Sequence, residues 1–294
     1  MAIDFEKLKQ ELSIERVLQE YGMLDDLKRT ETRLYGSCPV HHGDNPRAFN
    51  VSLDKNLWNC FTHCGGGSVI DLLMKIEKIN AKEAAYVGFN MLGMTPEENK
   101  SKNQNLKPLK FRLTLKHGHP YLENRNIDAE TAKYFGIGYC SKGIMQGRIA
   151  IPIHTSEGKL VAYCGRSVNN EEPKYRFPGG FQKSRVVYNL DRVIQTDSKE
   201  IVVTEGFFDV FALYKAGINA VALMGSFLSH YQKKQLLSLE KRLVFMFDGD
   251  DAGRNGMQKA INSLYGKQPV KAVYLPDNAQ PDHYDSNCLQ ELVN

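Results

Sequence analysis

The amino-acid sequence predicts an α/β fold, α+β overall, in three parts: a small metal-stapled sheet, a basic α+β segment and a parallel-sheet α/β segment. Three observations predict it. Cys38-Pro39-Val40-His41 and Cys60-Phe61-Thr62-His63-Cys64 form two knuckles with 18 residues between them. GRIAIPIHTSEGKLVAYCGRSV alternates about a Ser-Glu-Gly turn, as a hairpin does. From residue 200 onward, short apolar runs alternate with helical stretches, the pattern of a parallel sheet with right-handed crossover helices.

Composition sets the outer limits. The 294 residues are 42% apolar and 24% charged, ordinary for a globular chain of two or three domains, which excludes a disordered, collagen-like or coiled-coil protein. No apolar run approaches the roughly 20 residues of a membrane span, and the opening MAIDFEKLKQELS is charged and periodic rather than a signal peptide. The expectation is a soluble cytoplasmic protein with no membrane partner. Six cysteines are too few for a disulfide framework in that compartment, so the three that cluster point to a metal. The net charge of +4 conceals a basic middle third: residues 100–199 carry 18 Lys/Arg against 8 Asp/Glu, while the flanking thirds are slightly acidic. A basic block beside an acidic one suits a polyanionic partner.

Taken in order, residues 1–95 read as the first domain. Phe5, Leu8 and Leu12, then Ile14, Val17, Leu18 and Tyr21, keep helical spacing. RLYGS, AFNVS and NLWNCF read as strands, and SVIDLLMKIEKI as an amphipathic helix with Ser68 as its cap. The stretch from Thr95 to Pro108 has almost no apolar residue, which places a linker over 96–109. Residues 110–199 contain HPYLENRNIDAETAKYFGIGY, where Asp128 is placed to cap a helix carrying Ala132 and Phe135, and then the hairpin. Residues 200–294 run IVVT, FFDVFALYKAG, INAVALM, SHYQKKQLLSLEK, RLVFMF, DAGRNGMQKAINSLYG and VKAVYLP, strand and helix in turn.

Each knuckle presents soft donors from a turn, as a tetrahedral zinc requires. The set Cys38, His41, Cys60 and Cys64 supplies four ligands, which makes the site closed and structural. His42 and His63 compete for the histidine position, another thiophilic metal would suit the same donors, and buried thiols beside a surface His pair are the alternative. A domain of this size with Gly65-Gly66-Gly67 behind the second knuckle has little core of its own, which favours the metal. Trp58, Phe61 and Phe49 flank the knuckles as candidates for stacking on single-stranded bases, with core packing the commoner fate of such rings.

In the third segment, carboxylates fall where apolar strands stop: Glu205 after IVVT, Asp248 and Asp250 after VFMF, and Asp277 after VYLP. The carboxyl ends of parallel strands share one sheet edge, so these groups converge there. Asp209, four residues past Glu205, is one helical turn on and faces the same edge. Like charges so placed repel by several kcal/mol, and a hard divalent cation, Mg²⁺ or Mn²⁺, is the usual remedy. Ordinary strand termini and helix caps are the alternative, above all for Asp251; a dinucleotide site is disfavoured because no G-x-G-x-x-G follows the first strand.

These motifs carry a family resemblance. CPVHHGDNPRAFNVSLDKNLWNCFTHCGGGSVIDLL is similar to the CHC2-type zinc-binding domain of bacterial-type, DnaG-like DNA primases. YLENRNIDAETAKYFGIGY, RIAIPIHTSEGKLVAYCGR, PKYRFP and FQKSRVVYNL resemble the amino-terminal half of their RNA polymerase core, and TEGFFDV with FDGDDAGRNG resembles their Toprim fold. Nearly the whole chain resembles the compact primases of phages and mobile elements. The resemblance implies a zinc-ribbon-like domain (1–95), a mixed α+β basic subdomain (110–199) and a Toprim parallel-sheet subdomain (200–294). It implies a nucleotidyltransferase of the primase type, a DNA-directed RNA polymerase of the primosome. Such an enzyme makes short RNA primers on single-stranded DNA during replication, with structural zinc, catalytic Mg²⁺ or Mn²⁺, ribonucleoside triphosphates and a separate replicative helicase. Residue by residue, it implies that Glu205, Asp248 and Asp250 hold the catalytic metals with Asp209 in support, and that Asp277 and Asp282 contribute from the last acidic loop. Lys183 takes a functional lysine position, and Arg148, Arg166, Lys174 and Arg185 form a basic surface for template and nucleotide, with a solvated charge as the alternative for any one of them.

Three departures qualify the resemblance. The second knuckle is Cys-x3-Cys where the family usually has Cys-x2-Cys, which leaves His63 looped out or competing as a ligand. LPDNAQPDHY has Gln280 where the family often has a third carboxylate, which predicts a weakly held second metal. The chain stops soon after that loop, so the expectation is a form lacking the helical end of the core and the helicase-binding domain. The rival functions are a Toprim nuclease with Glu205 as general base and a non-catalytic single-strand-binding accessory; the order of zinc domain, basic segment and Toprim favours the primase.

Overall fold

The computed structural model of the protein describes residues 4–94, 106–169 and 171–294. The chain divides into two compact units, residues 1–103 with 258–263, and residues 104–257 with 264–294.

In the first unit, α1 (Phe5–Glu11) and α2 (Ile14–Glu20) start on side-chain caps. Asp4 accepts from the Lys7 N–H at 2.9 Å and Ser13 from the Arg16 N–H at 3.1 Å, which satisfies amides that a helix start leaves unpaired. Their apolar stripe of Leu8, Leu12, Val17 and Leu18 is buried. An antiparallel sheet follows in the order β1 (Lys28–Arg29), β2 (Arg33–Gly36), β3 (Phe49–Ser52), β4 (Leu57–Cys60) and β5 (Gly65–Gly67). The three glycines thus pair as an edge strand, an element with no apolar signal in the sequence. α3 (Val69–Glu77) begins where Ser68 predicts, and the Asp71 carboxylate accepts from both the N–H and the hydroxyl of Ser68, at 2.8 and 2.7 Å. α4 (Ala81–Met91), capped by Asn80, completes the unit and was not signalled by any expectation above.

The aromatic rings beside the knuckles divide between two fates. Phe49 and Trp58 are core residues with ring centroids 5.6 Å apart, and the indole N–H of Trp58 donates to the Ser68 carbonyl at 3.1 Å. They are not presented for base stacking. Phe61 is 73% exposed.

In the second unit the end of the expected linker is already docked, since the Leu109 N–H donates to the Leu160 carbonyl at 2.8 Å. Residues 95–105 of that linker lie outside the described residues. α5 (Pro120–Glu123) precedes α6 (Ala129–Phe135), whose first turn is capped by Asp128 accepting from the Thr131 N–H at 2.7 Å. An antiparallel sheet runs β6 (Gly138–Cys140), β7 (Arg148–His154), β8 (Leu160–Ser167) and β9 (Tyr175–Arg176). The expected hairpin is β7–β8, but it is buried on both faces from Arg148 to Ile153 and from Leu160 to Ser167. After α7 (Leu190–Val193) comes the parallel sheet, in the order β11 (Ala220–Ala222), β10 (Glu200–Thr204), β12 (Arg242–Phe245) and β13 (Val270–Ala272). α8 (Phe207–Lys215), α9 (His230–Leu237) and α10 (Asp251–Leu264) join its strands, and α11 (Ser286–Val293) follows.

Both sheets of this unit share one apolar core. Ile149, Ile151 and Ile153 of β7 belong to the same cluster as Val202, Phe207, Phe211 and Val244, and Tyr188 pairs its backbone with Ala222. The change at residues 199–200 is therefore a change of strand pattern inside one core. Among the described residues, no helix is long and apolar enough to cross a membrane.

Candidate active site and metal centre

The first candidate site lies at the strand ends of the first unit. Cys38 and His41 follow β2, Cys60 ends β4, and Cys64 precedes β5. The Cys38 and Cys64 sulfurs are 3.8 Å apart, and His41 Nδ1 lies 3.2 Å from Cys64 Sγ and 3.7 Å from Cys60 Sγ. All four donor atoms fall within 4.8 Å of one another. A tetrahedron with Zn–S bonds of about 2.3 Å has S···S edges of roughly 3.8 Å, so the spacing fits a single zinc. The thiols differ in their electrostatics. Burial and the neighbouring Cys38 and Cys60 sulfurs push the Cys64 thiol up to about 12. Burial opposes ionisation of Cys60 too, but hydrogen bonds from the Thr62 hydroxyl and the amides of Cys64, His63 and Thr62 bring it down to about 6. Neither rival histidine joins the set: His63 packs its ring 5.3 Å from that of His41, and His42 sits in a left-handed backbone position.

The second candidate site is at the carboxyl edge of the parallel sheet. Glu205 follows β10 directly and Asp248 follows β12, and the Asp248 N–H donates to Glu205 Oε1 at 3.1 Å. Asp209, in the first turn of α8, accepts from the Gly206 N–H at 2.9 Å. Gln280 Nε2 donates to Asp248 Oδ2 at 2.6 Å. The loop carrying Asp248 is tied to the last acidic loop by two reciprocal backbone bonds, Gly249 N–H to Ala279 O (2.8 Å) and Asn278 N–H to Gly249 O (3.1 Å). A Cβ at Gly249 would stand 1.9 Å from the Pro276 carbonyl, and one at Gly253 would stand 2.6 Å from Glu205 Oε1, so both close approaches require glycine.

A cavity of about 370 Å³ opens on this edge. Glu205, Asp209, Asp248, Gln280 and Asp282 line one side of its chemistry, and Arg125, Arg166, Lys174 and Lys183 supply the opposite charge. Burial and the charge of Asp248 push the Glu205 carboxyl up to about 7. Burial, with Asp248 and Asp282, holds Asp209 well above the usual carboxylate range, and burial beside Asp250 raises Asp248 as well. Asp282 pairs with Arg125 through Oδ2, while its buried Oδ1 has no hydrogen-bond partner. An all-oxygen donor set with raised proton affinities and an orphaned carboxylate oxygen fits a hard divalent ion. Among the described residues, the Cys/His cluster is the one group of three or more such donors gathered closely enough to hold a metal ion.

Several expected residues are placed elsewhere. Asp277 does not line the cavity; its side chain is 82% exposed and pairs with Arg254. Asp250 is exposed outside the lining and caps α10, accepting from the Gly253 N–H at 2.7 Å, although its charge still reaches Glu205 and Asp248. Arg148 is 1% exposed and donates to the carbonyls of Gly165 and Pro173, so it is an internal cation and not part of a binding surface. Arg185 lies over the Tyr231 ring at 4.7 Å, away from the cavity lining. Arg166 does line it, held by a 2.7 Å bond from its Nε to the Tyr121 hydroxyl and lying over Tyr175 at 4.9 Å. Arg125, which stacks over Phe208 at 4.7 Å, had no signal in the sequence, because its partner Asp282 is 157 residues away.

Comparison with known proteins agrees with this arrangement. Residues 2–104 match the family described as CHC2 zinc finger, residues 142–194 the DNA primase catalytic core, N-terminal domain, and residues 202–285 a Toprim-like domain. The DNA primase of Lactococcus lactis is 28% identical over 95% of this chain and 52% of its own length, and that of Aquifex aeolicus is 28% identical over 97% and 66%. The chain thus spans about half to two-thirds of the curated relatives it matches. The crystal structure of the zinc binding and RNA polymerase domains of the Aquifex aeolicus primase is similar over all of this chain and 85% of that one, with a TM-score of 0.55 and 26% identity. The RNA polymerase domain of Mycobacterium tuberculosis primase DnaG, in complex with a double-stranded DNA oligomer bearing a 6-nucleotide overhang, is similar over 59% of this chain and 71% of that one, at a TM-score of 0.51 and 26% identity. The zinc finger match and the closed Cys/His set support structural zinc in the first unit. Zinc finger, primase core and Toprim-like regions follow one another in that order, so the chain carries the domain set of the DnaG-type DNA primases.

Proposed function

We propose that this chain synthesises short RNA primers on single-stranded DNA by metal-dependent nucleotidyl transfer. Its substrates are ribonucleoside triphosphates, and a separate replicative helicase is its partner at the fork. The observation that carries this reading is the two-signed cavity, with carboxylates at the sheet edge facing Arg125, Arg166, Lys174 and Lys183. Glu205, Asp248 and Asp282 would hold the divalent ions, Mg²⁺ or Mn²⁺, with Asp250 at the rim, and Cys38, His41, Cys60 and Cys64 hold the zinc. Divalent ions held there would supply Lewis-acid neutralisation of the charge that builds up during phosphoryl transfer.

The chain's own residues do the rest. Lys183, Lys174 and Arg166 bind the phosphates that the metals leave uncompensated. Arg125 holds Asp282 in place from its stacked position on Phe208. Burial, with Asp248 and Asp282 nearby, raises the proton affinity of Asp209 and so disfavours a further negative charge in the cluster. Tyr175, Phe177 and Phe207 line the cavity with apolar surface, which strengthens charge interactions beside them.

The test is incubation of the full chain with single-stranded templates, labelled ribonucleotides and Mg²⁺ or Mn²⁺, beside Glu205→Gln. A labelled ladder that lengthens with time, and is absent in the variant, supports primer synthesis. Shortening of the template without ribonucleotide incorporation supports the Toprim nuclease instead, and binding with neither outcome supports the accessory.

A further inference from the structure

Lys183 lies in a short 3₁₀ turn, Lys183–Arg185, in which no residue is buried, so hydrophobic packing does not set its position. Hydrogen bonds from one helix do. The turn and the residue after it expose four carbonyls, and side chains on α9 or its cap take all of them. The Ser229 hydroxyl donates to Ser184 O, and Gln235 Nε2 donates to Arg185 O at 2.8 Å. Gln232 Nε2 donates to Val186 O at 2.9 Å, to Leu223 O on the neighbouring strand end at 2.9 Å, and more weakly to Lys183 O at 3.3 Å. Gln232 is 1% exposed, and its Oε1 accepts from the Ser229 N–H at 3.2 Å, so both ends of the amide are engaged. Residues 229, 232 and 235 recur every three positions, which puts them on one face of the helix.

The other end of the lysine is held as well. Lys183 Nζ donates to the Met224 carbonyl at 2.7 Å. Met224 is a buried non-glycine residue at φ +60°, a left-handed conformation that costs energy and persists because its surroundings impose it. The next residue, Gly225, donates its N–H to the Glu205 carbonyl at 3.0 Å, and a Cβ there would sit 3.1 Å from Lys183 Nζ. One two-residue turn therefore ties the lysine's ammonium to the backbone of Glu205.

We infer that α9 and the Met224–Gly225 turn form a splint for Lys183, with Gln232 as its central positioning residue. A lysine side chain is long and rich in rotamers, so a cation meant to meet a phosphate at a defined place needs its base and tip fixed separately. α9 fixes the base and Met224 the tip. The functional consequence rests on the reading of Lys183 as a phosphate-binding cation; the splint itself does not.

Gln232→Met tests it, because it keeps the volume and removes the donors. Two readouts are needed. Acylation of Lys183 by a small amine-reactive reagent, followed by mass spectrometry with Lys7 as internal reference, should rise severalfold in the variant. Primer synthesis should lose between about ten- and a hundred-fold in kcat/KM, the size expected of a misplaced catalytic cation. In a Lys183→Ala background the same substitution should cost kcat/KM nothing further while lowering Tm as before; losses that add in full would show a general structural role and overturn the inference. Gln235→Ala, which removes one outer bond of a half-buried residue, gives a smaller effect of the same sign and serves if Gln232→Met does not fold. Unchanged Lys183 acylation in the folded variants overturns the splint whatever the activity does. If acylation rises but Lys183→Ala leaves synthesis intact, the splint stands and the phosphate-binding reading of Lys183 fails.

Discussion

The two candidate metal sites are built in opposite ways. In the first unit, four soft donors from two turns are already drawn within 4.8 Å, in a region whose edge strand is three glycines. At the sheet edge of the second unit, the carboxylates come from segments separated by up to 77 positions, Glu205 to Asp282, and are spaced by a glutamine amide, backbone amides and an arginine. The first region has an apolar core under α1–α4, but its two knuckle turns are joined through the ligands, so metal binding should contribute to its folding. The second has a large shared core and folds around charges that repel. Metal loss should therefore damage one region and merely leave the other electrostatically uneasy.

The largest expected effect tests the first half of that contrast. Stripping zinc with a chelator, or Cys60→Ser or Cys64→Ser, should unfold residues 4–94, with a loss on the order of 10 kcal/mol of coupled binding and folding energy. Hydrogen exchange should show that loss of protection while residues 106–257 and 264–294 keep theirs. Metal-free protein with near-native protection in the first unit would break the comparison.

A smaller effect of opposite sense belongs to the sheet edge. Glu205 has a folded value of about 7 against an ordinary 4.5, so between those values the folded state holds a proton that the unfolded chain releases. Raising the pH through that window removes stability from the metal-free protein, by about 3 kcal/mol at most. Glu205→Gln should flatten this part of the pH profile, and Mg²⁺ should restore stability at pH 8. A metal-free protein that gains stability from pH 4.5 to 7 through this residue would contradict the burial argument.

The smallest effect separates two roles of one residue. Asp250 caps α10 and also adds its charge to the cluster. Asparagine caps as well as aspartate, so Asp250→Asn should leave Tm unchanged or raised, whereas Asp250→Ala should cost about 1 kcal/mol. Both should abolish ribonucleotide incorporation. Activity surviving in the asparagine variant would reduce Asp250 to a cap.

Local chemistry was legible in the sequence, and long-range pairing was not. The knuckles could be read because their ligands lie within a few residues of each other, and Ser68 and Asp128 because a cap acts on the next turn. The strand-end position of Glu205 and Asp248 followed from the parallel-sheet pattern. What failed depended on which faces become buried. Arg148 has the charge of a binding residue, yet β7 is covered on both sides, and its Nη1 donates to two backbone carbonyls in the interior. Asp277 shares the motif of Asp282 but turns outward to Arg254, five residues from a carboxylate that turns inward to Arg125. No spacing rule distinguishes those two outcomes.

The paired loops at the sheet edge bear on what this site tolerates over generations. Asp248 is held in register with the last acidic loop by main-chain atoms of Gly249, Asn278 and Ala279, and every amino acid except proline carries those atoms. The backbone register thus does not depend on the identity of the side chain at position 280, where a neutral amide contributes its own hydrogen bond to Asp248. Gly249 is the strictest position, since any β-carbon there meets Pro276, so heritable variation should be almost nil at 249, narrow at 278, where Asn278 takes a left-handed backbone, and at 279, where Ala279 packs on the core, and wider at the exposed Asp277. A saturation library scored for folded protein would draw that gradient from a single immovable residue to an exposed one.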